Sequence, residues 1–225
     1  MNKSVLIIAA HPDDETIGCG GTILKHINNG DTVNIITLTD GVSSRDSLSA
    51  SDEKERNIAA NNAIKLLGAN WVGCGSFPDN NMDSIPILQI IKFIESYKKE
   101  YYPNIIYTHS PNDLNVDHGI AAMATLTAFR PEPTEKYDEI RFFEVASSSD
   151  FSVKQLNNKF EPNLFININN FLEKKIKALE CYDEEIRDYP HSRSYKKIEA
   201  LAEYRGAQSG MNFAEAFEVV RRIER

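Results

Sequence analysis

The fold of this chain is indicated near its N-terminus, where the sequence reads VLIIAAHPDDE over residues 5–15. Residues 5–10 form a continuous apolar run of strand length. Such a run, without polar alternation, is typical of a strand covered on both faces in a parallel sheet. The polar residues from His11 onward then lie at the carboxyl end of a central strand, which is the edge where open α/β sheets bind ligands.

Outward from this segment, strand and helix patterns alternate four times along the chain. The further predicted strands cover residues 32–38, 70–74 and 104–108. The predicted helices, which end at Gly or Pro stop signals, cover residues 18–27, 52–67, 85–101 and 117–129. This alternation predicts an α/β fold, namely a Rossmann-like, doubly wound and mostly parallel sheet with helices on both faces.

The rhythm changes after Pro131. Two extended segments, forming an added hairpin or edge strands, are predicted over residues 140–145 and 163–168. Helices are predicted over residues 171–188, 195–208 and 213–225. We therefore expect residues 1–225 to form one domain, with a Rossmann-like core over 1–130 and a strand/helix extension packed on it over 131–225.

Composition restricts the partners. The 225 residues include 25 Lys and Arg against 33 Asp and Glu, a net charge of −8, which disfavours binding to nucleic acid or to an anionic membrane. Three widely spaced cysteines favour a reducing cytoplasm, and no apolar run approaches the ~20 residues of a membrane span. We expect a cytoplasmic protein that acts on a small molecule, with homo-oligomerisation left open.

Two predicted strand-to-helix loops are rich in residue types that bind metals. The first loop contains His11, Asp13, Asp14 and Glu15, and the fourth contains His109, Asp113, Asn115, Asp117 and His118. Imidazole and carboxylate suit zinc, and catalytic zinc sites use three protein ligands with one open position. Acidic residues at a helix start also act as caps, but capping explains one carboxylate rather than three in succession after a histidine.

The residues around these clusters resemble a known family. The matching segments are HPDDE at 11–15, GCGGT at 18–22, TDG at 39–41, Arg56 ahead of Leu67-Gly68, DLNVDH at 113–118, and AEAF at 214–217 after Arg205-Gly206. In these motifs the chain is similar to the LmbE-like (PIG-L) zinc-dependent N-deacetylases, and the resemblance spans nearly its whole length.

The resemblance implies a site residue by residue. His11, Asp14 and His118 correspond to the metal ligands, for zinc or another divalent transition metal, and Asp13 corresponds to the general base. The supporting residues are Glu15 and Asp117, the latter placed to orient a neighbouring group. The candidates for substrate contact are Arg56, Asp113 and Asp79. Without the family match, Arg56 is equally well interpreted as a solvated charge on a helix face. Asp79 is at least as well interpreted as a turn residue.

Two departures from the family pattern affect the catalytic assignment. Asn115 stands where many members have a histidine that assists the charged intermediate or the leaving amine, and Ala59 replaces an acidic residue one turn after Arg56. Asparagine donates a hydrogen bond to an oxyanion but delivers no proton near neutral pH. We therefore take Asn115 and His109 as the candidates for assisting the intermediate, with His109 as the alternative proton donor.

The function that follows is removal of an N-acetyl group from an amino sugar, a sugar conjugate or a nucleotide sugar, by metal-activated water and a general base. The alternatives are a metal-stabilised or metal-free sugar-nucleotide binding module without hydrolytic activity, and a metal-dependent hydrolase of another bond, such as a phosphoester. A dinucleotide-binding loop is disfavoured, because Ile23 stands where the third glycine after Gly18 and Gly20 is required.

Overall fold

The structure, a computed structural model, describes residues 2–45, 49, 51–153 and 159–224. The strands are β1 Ser4–Ala9, β2 Thr32–Thr39, β3 Asn70–Phe77, β4 Ile105–His109, β5 Glu139–Phe143, β6 Leu164–Asn167 and β7 Ala214–Arg222. The α-helices are α1 Asp14–Asn28, α2 Asp52–Leu67, α3 Ile87–Tyr101, α4 Val116–Ala128, α5 Leu172–Leu179 and α6 Tyr195–Ala207. Over the described residues, no helix has the length and hydropathy needed to cross a membrane.

The strands form one mixed sheet in the order β3-β2-β1-β4-β5-β7-β6. The first five strands in the chain pair in parallel, whereas β7 pairs antiparallel with both β5 and β6. The predicted α/β class with a mostly parallel sheet is confirmed. Strand β1 has β2 on one side and β4 on the other, so the strand order reverses at β1, and this is where doubly wound sheets bind ligands.

The apolar run of β1 is explained by helices on both faces of the sheet. Val5 and Ile7 pack into a cluster with residues of α1, α2 and α5. Leu6 and Ile8 point to the other side and pack with residues of α3 and α4. Because successive side chains of a strand alternate between faces, an all-apolar strand requires two covered faces, as the sequence predicted.

Helix α1 begins at Asp14, four residues before the predicted start, so Gly18, Gly20 and Gly21 lie inside it. They serve close packing instead of helix initiation. A Cβ atom on Gly21 would lie 2.7 Å from Cγ2 of Ile168, and one on Gly20 would lie 2.9 Å from Cγ of Lys175. The absence of these side chains therefore allows α1 to contact the segment that leads from β6 into α5.

The C-terminal region differs from its prediction. Residues 213–225 were expected to be helical, but Ala214–Arg222 forms β7, lodged between β5 and β6. Its backbone is thus hydrogen-bonded to a strand along both edges. This pairing favours a strand over the weak helical pattern of the segment, which contains the strand-forming residues Phe217, Val219 and Val220. The helix predicted over 171–188 is also shorter, because α5 ends at Leu179 and gives way to a 3-10 helix over Glu180–Glu185.

Candidate metal centre at the carboxyl edge of the sheet

The two histidine- and aspartate-rich loops converge at the reversal point of the sheet. The loop leaving β1 carries His11, and the loop leaving the neighbouring strand β4 leads into α4, whose first turns carry His118. Both histidines are buried, with exposed fractions of 8% and 0%. The parallel pairing of β1 with β4 therefore brings together residues that are 107 positions apart in the chain.

Three donor atoms from these loops form a compact triangle. Nδ1 of His11 lies 3.1 Å from Oδ2 of Asp14, and Nε2 of His118 lies 3.3 Å from the same oxygen. The two nitrogens are 3.3 Å apart. A tetrahedral site with bonds of about 2.0–2.2 Å has neighbouring ligand atoms about 3.3–3.6 Å apart. The triangle is therefore close to the spacing of three ligands around a single cation.

The chemistry of Asp14 fits the same interpretation. Its carboxylate is fully buried, and among the described residues its Oδ1 has no hydrogen-bond partner. Burial opposes ionisation, but the His118 imidazole beside it holds the pKa of Asp14 well below its usual range. A buried, ionised carboxylate with a free oxygen requires a positive partner. Two imidazole nitrogens and one carboxylate form a donor set suited to zinc or a similar divalent metal.

The ring of His118 is oriented by Asp113. Oδ2 of Asp113 lies 3.1 Å from Nδ1 of His118 and accepts a 2.7 Å hydrogen bond from Oγ of Ser149. A carboxylate beside one ring nitrogen holds the proton there and leaves the other nitrogen free to bind a metal. Sequence reasoning placed Asp113 among the substrate contacts, whereas the structure places its carboxylate, which is 4% exposed, behind His118.

The ring of His11 is held in the same way by two carboxylates. Its Nε2 lies 3.1 Å from Oδ2 of Asp117 and 3.2 Å from Oδ1 of Asp79. Asp117 is itself anchored by the backbone N–H groups of Asn80 and Met82, at 2.7 and 3.0 Å. Asp117 thus lies where an orienting residue was expected. Asp79, expected to contact substrate, lies against His11 and accepts a hydrogen bond from Oγ of Ser44.

Asn115 caps helix α4. Its Oδ1 accepts the backbone N–H of Asp117 at 2.9 Å, and its Nδ2 donates to Oδ1 of Asn80 at 3.0 Å. Asparagine is a preferred residue at this position, because its side chain satisfies a backbone donor that has no partner within the helix. The residue in place of the family histidine is thus engaged in helix capping.

His109 is engaged with the backbone. Its Nε2 accepts a 2.8 Å hydrogen bond from the N–H of Ala10, so the proton of the neutral ring lies on Nδ1. The ring is fully buried and stacks on His118 with 3.9 Å between centroids. Burial, together with the neighbouring His118, keeps the pKa of His109 well below its usual range. The structure therefore places His109 against the backbone of the first loop, with its Nε2 engaged by the N–H of Ala10.

Asp13 occupies a strained turn at the start of α1. Its φ of 137° is rare for a residue other than glycine, and such a conformation costs about 1–3 kcal/mol. Its backbone N–H donates to Oε2 of Glu15 at 3.0 Å, and Oε1 of Glu15 accepts the hydroxyl of Tyr182 at 2.9 Å. Glu15 thus stabilises the turn that presents Asp13.

Two guanidinium groups face the carboxylate of Asp13. Nη1 of Arg193 lies 3.3 Å and Nη1 of Arg56 lies 3.8 Å from its Oδ2. Burial raises the pKa of Asp13 to about 7; Arg193 opposes this rise, Asp14 adds to it, and Arg56 opposes it. A pKa in this range suits a group that exchanges protons near neutral pH. Arg56, which is 6% exposed, belongs to this buried cluster and not to a solvated helix face.

Sequence reasoning did not find Arg193 or Glu185. Glu185 accepts hydrogen bonds from Nη1 of Arg193 at 3.1 Å and from Nη2 of Arg56, so it links both cations beside Asp13. Arg193 is 180 positions from Asp13 in the chain and lies in the turn before α6. No motif marks either residue, because their approach to the site depends on how the C-terminal segment folds back.

Comparisons with known proteins agree with this geometry. The model of the family described as PIG-L, GlcNAc-PI de-N-acetylase, matches residues 6–129. Diacetylchitobiose deacetylase of Thermococcus kodakarensis is 25% identical over 97% of this chain and 83% of its own length.

Two solved structures share the fold. N,N'-diacetylchitobiose deacetylase of Pyrococcus horikoshii has a TM-score of 0.79 at 21% identity, covering 97% of this chain and 84% of that one. The 4-carboxy-2-hydroxymuconate hydratase GalB of Pseudomonas putida has a TM-score of 0.79 at 21% identity, with 99% and 98% covered. Because these two perform different reactions, the fold alone does not define the chemistry. The family model, by contrast, matches more than half of the sequence and includes both converging loops, so this chain belongs to the PIG-L (LmbE-like) family.

Proposed function

We propose that this protein is a metal-dependent hydrolase that removes the N-acetyl group from an N-acetylated amino sugar or its conjugate. The observation that carries the proposal is the triangle of His11, Asp14 and His118, whose donor atoms are 3.1–3.3 Å apart. The two diacetylchitobiose deacetylases named above support the choice of an amide bond. Zinc is the metal that this donor set favours.

A divalent cation at these residues supplies Lewis acidity and lowers the pKa of a water molecule that it binds. Asp13, next to ligand Asp14 in the chain, accepts the proton of the attacking water. Arg193 and Arg56 hold its Oδ2, which fixes the orientation of the carboxylate. Addition of the water oxygen to the acyl carbon and cleavage of the C–N bond give acetate and an amine.

The leaving nitrogen also needs a proton. Asn115 has no titratable proton and is engaged as a helix cap, while Nε2 of His109 accepts the N–H of Ala10. We therefore assign both transfers to Asp13, which gains the proton of the water and returns it to the leaving amine. Asp13 then both accepts and returns the proton, so the reaction does not require the family histidine that Asn115 replaces.

A binding module without activity is the competing function. Structural zinc sites are usually closed by four protein ligands, whereas catalytic sites keep a position open. The triangle contributes three ligands, and the three cysteines are free thiols outside it. The donor count therefore favours catalysis.

The test is the variant Asp13→Asn, assayed for acetate release from N-acetylglucosamine and N,N'-diacetylchitobiose. We expect elemental analysis to show retained metal and kcat to fall by about 10²–10⁴-fold, the usual contribution of a general acid–base group. The matched control is Asp138→Asn, which removes a partly exposed carboxylate paired with Lys3 and should leave kcat unchanged. Wild-type activity in Asp13→Asn would remove Asp13 from the mechanism.

A further inference from the structure

We propose that the cavity beside the metal centre selects neutral N-acetylated saccharides over those carrying a phosphate or carboxylate group. This inference rests on the proposed function and narrows its substrate class. The cavity has a volume of about 500 Å³, within the range of about 300–1,000 Å³ typical of small-molecule sites. It adjoins the metal centre through Asp79, whose Oδ1 lies 3.2 Å from Nε2 of His11.

The lining is polar and hydrogen-bonding. The side chains used in the argument are those of Arg45, Asp79, Asn80, Glu184, Glu185 and Arg187. Carboxylate and amide oxygens accept hydrogen bonds from hydroxyl groups, which a saccharide presents in number. Over the described part of the lining, three carboxylates outnumber two guanidiniums, so its side chains carry a net negative charge. A phosphate or carboxylate in this space meets like charge, which disfavours its binding.

Of the two guanidinium groups of the lining, that of Arg45 is engaged by carboxylates and that of Arg187 by a backbone oxygen. Nη1 of Arg45 donates to Oε2 of Glu184 and its Nη2 donates to Oε1 of Glu185, each at 2.9 Å. Nη1 of Arg187 donates to the backbone oxygen of Glu184 at 2.5 Å. A bidentate arginine is the usual partner for a phosphate or carboxylate. An anionic substrate can recruit Arg45 only by breaking its two ion pairs.

The two nearby arginines outside the lining are engaged as well. Arg56 and Arg193 both bind Glu185 and both face Oδ2 of Asp13. Glu185 therefore takes part in ion pairs with three guanidiniums, Arg45 included. The positive charge of Arg45, Arg56 and Arg193 is directed at acidic side chains of the chain itself, which favours hydroxyl groups over anionic groups as the substrate feature that the cavity recognises.

The experiment compares a neutral with an anionic N-acetylated substrate in each of two pairs. The metal-loaded wild-type protein is assayed for kcat/KM with N-acetylglucosamine and with its phosphate monoester, and with N,N'-diacetylchitobiose against UDP-N-acetylglucosamine. We expect the neutral member of each pair to be preferred by about tenfold or more, because like charges oppose each other at the site. An equal or higher kcat/KM for the anionic members would overturn the proposal. No acetate release from any of the four would instead refute the proposed function.

A variant tests the role of the ion pairs. Glu184→Gln removes one carboxylate and frees Nη1 of Arg45, so the ratio of anionic to neutral kcat/KM should rise by about threefold, the effect of one partly exposed charge pair. The control is Glu173→Gln, which breaks an exposed 2.6 Å pair with Lys177 outside the cavity and should leave the ratio unchanged. An unchanged ratio in Glu184→Gln, or an equal rise in the control, would contradict the assignment of selectivity to this lining.

Discussion

Two lysines of helix α5 allow a matched test of what holds the catalytic end of α1. Lys175 and Lys177 each bind a glutamate at 2.6 Å, Glu215 and Glu173 respectively. The first pair is 4% and 5% exposed in its side chains, while the second is 58% and 85% exposed. The two ion pairs are thus alike in length and differ in burial, which is the property that determines the penalty for breaking them.

The buried pair also hydrogen-bonds to the backbone of α1. Nζ of Lys175 donates to the backbone oxygen of Ile17 at 2.6 Å, and Glu215 accepts the N–H groups of Gly21 and Thr22 at 2.8 and 2.7 Å. In Lys175→Met, the Glu215 carboxylate remains buried away from water and loses its positively charged partner. Loss of one partner of a buried pair costs about 3–5 kcal/mol. At about 2–4 °C per kcal/mol for a chain of this size, we expect Tm to fall by about 6–20 °C.

The assay is urea and thermal unfolding with a chelator present, so that metal binding does not mask the change. Lys177→Met is the control and should leave the urea midpoint and Tm unchanged, because exposed pairs contribute little. The double variant Lys175→Met with Glu215→Gln should be more stable than Lys175→Met alone, since no charge is left unpaired. A loss below about 1 kcal/mol in Lys175→Met, or a double variant no more stable than it, would refute the argument from burial.

Two further predictions concern the metal centre and the base. Asp113→Asn should weaken metal affinity by about 10–100-fold, because the Asp113 carboxylate sets the tautomer of His118. Chelator competition measures the Kd of the metal, and an unchanged Kd would exclude the orienting role of Asp113. Arg193→Ala should lower kcat by about 10–100-fold through loss of a hydrogen bond to a charged group, with partial recovery in millimolar guanidinium. The control Arg130→Ala removes an exposed guanidinium that pairs with Glu95 and Glu132 outside the site and should show no such recovery. Absence of recovery in Arg193→Ala would contradict the positioning role.

Local pattern was sufficient for most of the parallel half of the molecule. Helix α2 spans Asp52–Leu67 and is followed by Gly68 with a φ of 78°, as the apolar period and the glycine stop predicted. These features can be predicted from the sequence because helix bounds depend on residues within one or two turns of the helix end. The carboxyl-end position of His11 likewise followed from the apolar strand before it, and the second loop from the strand that ends at His109.

The last strand of the C-terminal third could not be predicted in this way. The segment over residues 214–222 has residues compatible with helix or strand, and its pairing with β5 and β6 decides between them. Both partner strands are distant in the chain, so a short window of sequence around residues 214–222 does not indicate this pairing. The contact between Lys175 and Glu215 could not be predicted from a local window either. The two residues are 40 positions apart in the chain, and they meet against the helix that begins at Asp14.

The sequence by itself determined which residue types reach the catalytic edge, because strand periodicity and loop position identify the end of a strand where a side chain emerges. Only the tertiary structure decided which side chains touch. It set Asp113 behind His118, engaged Asn115 as a cap, and brought Arg193 to Asp13 across 180 positions. The physical reason is that contacts of this kind depend on rotamers and on packing between distant segments, and spacing along the chain encodes neither.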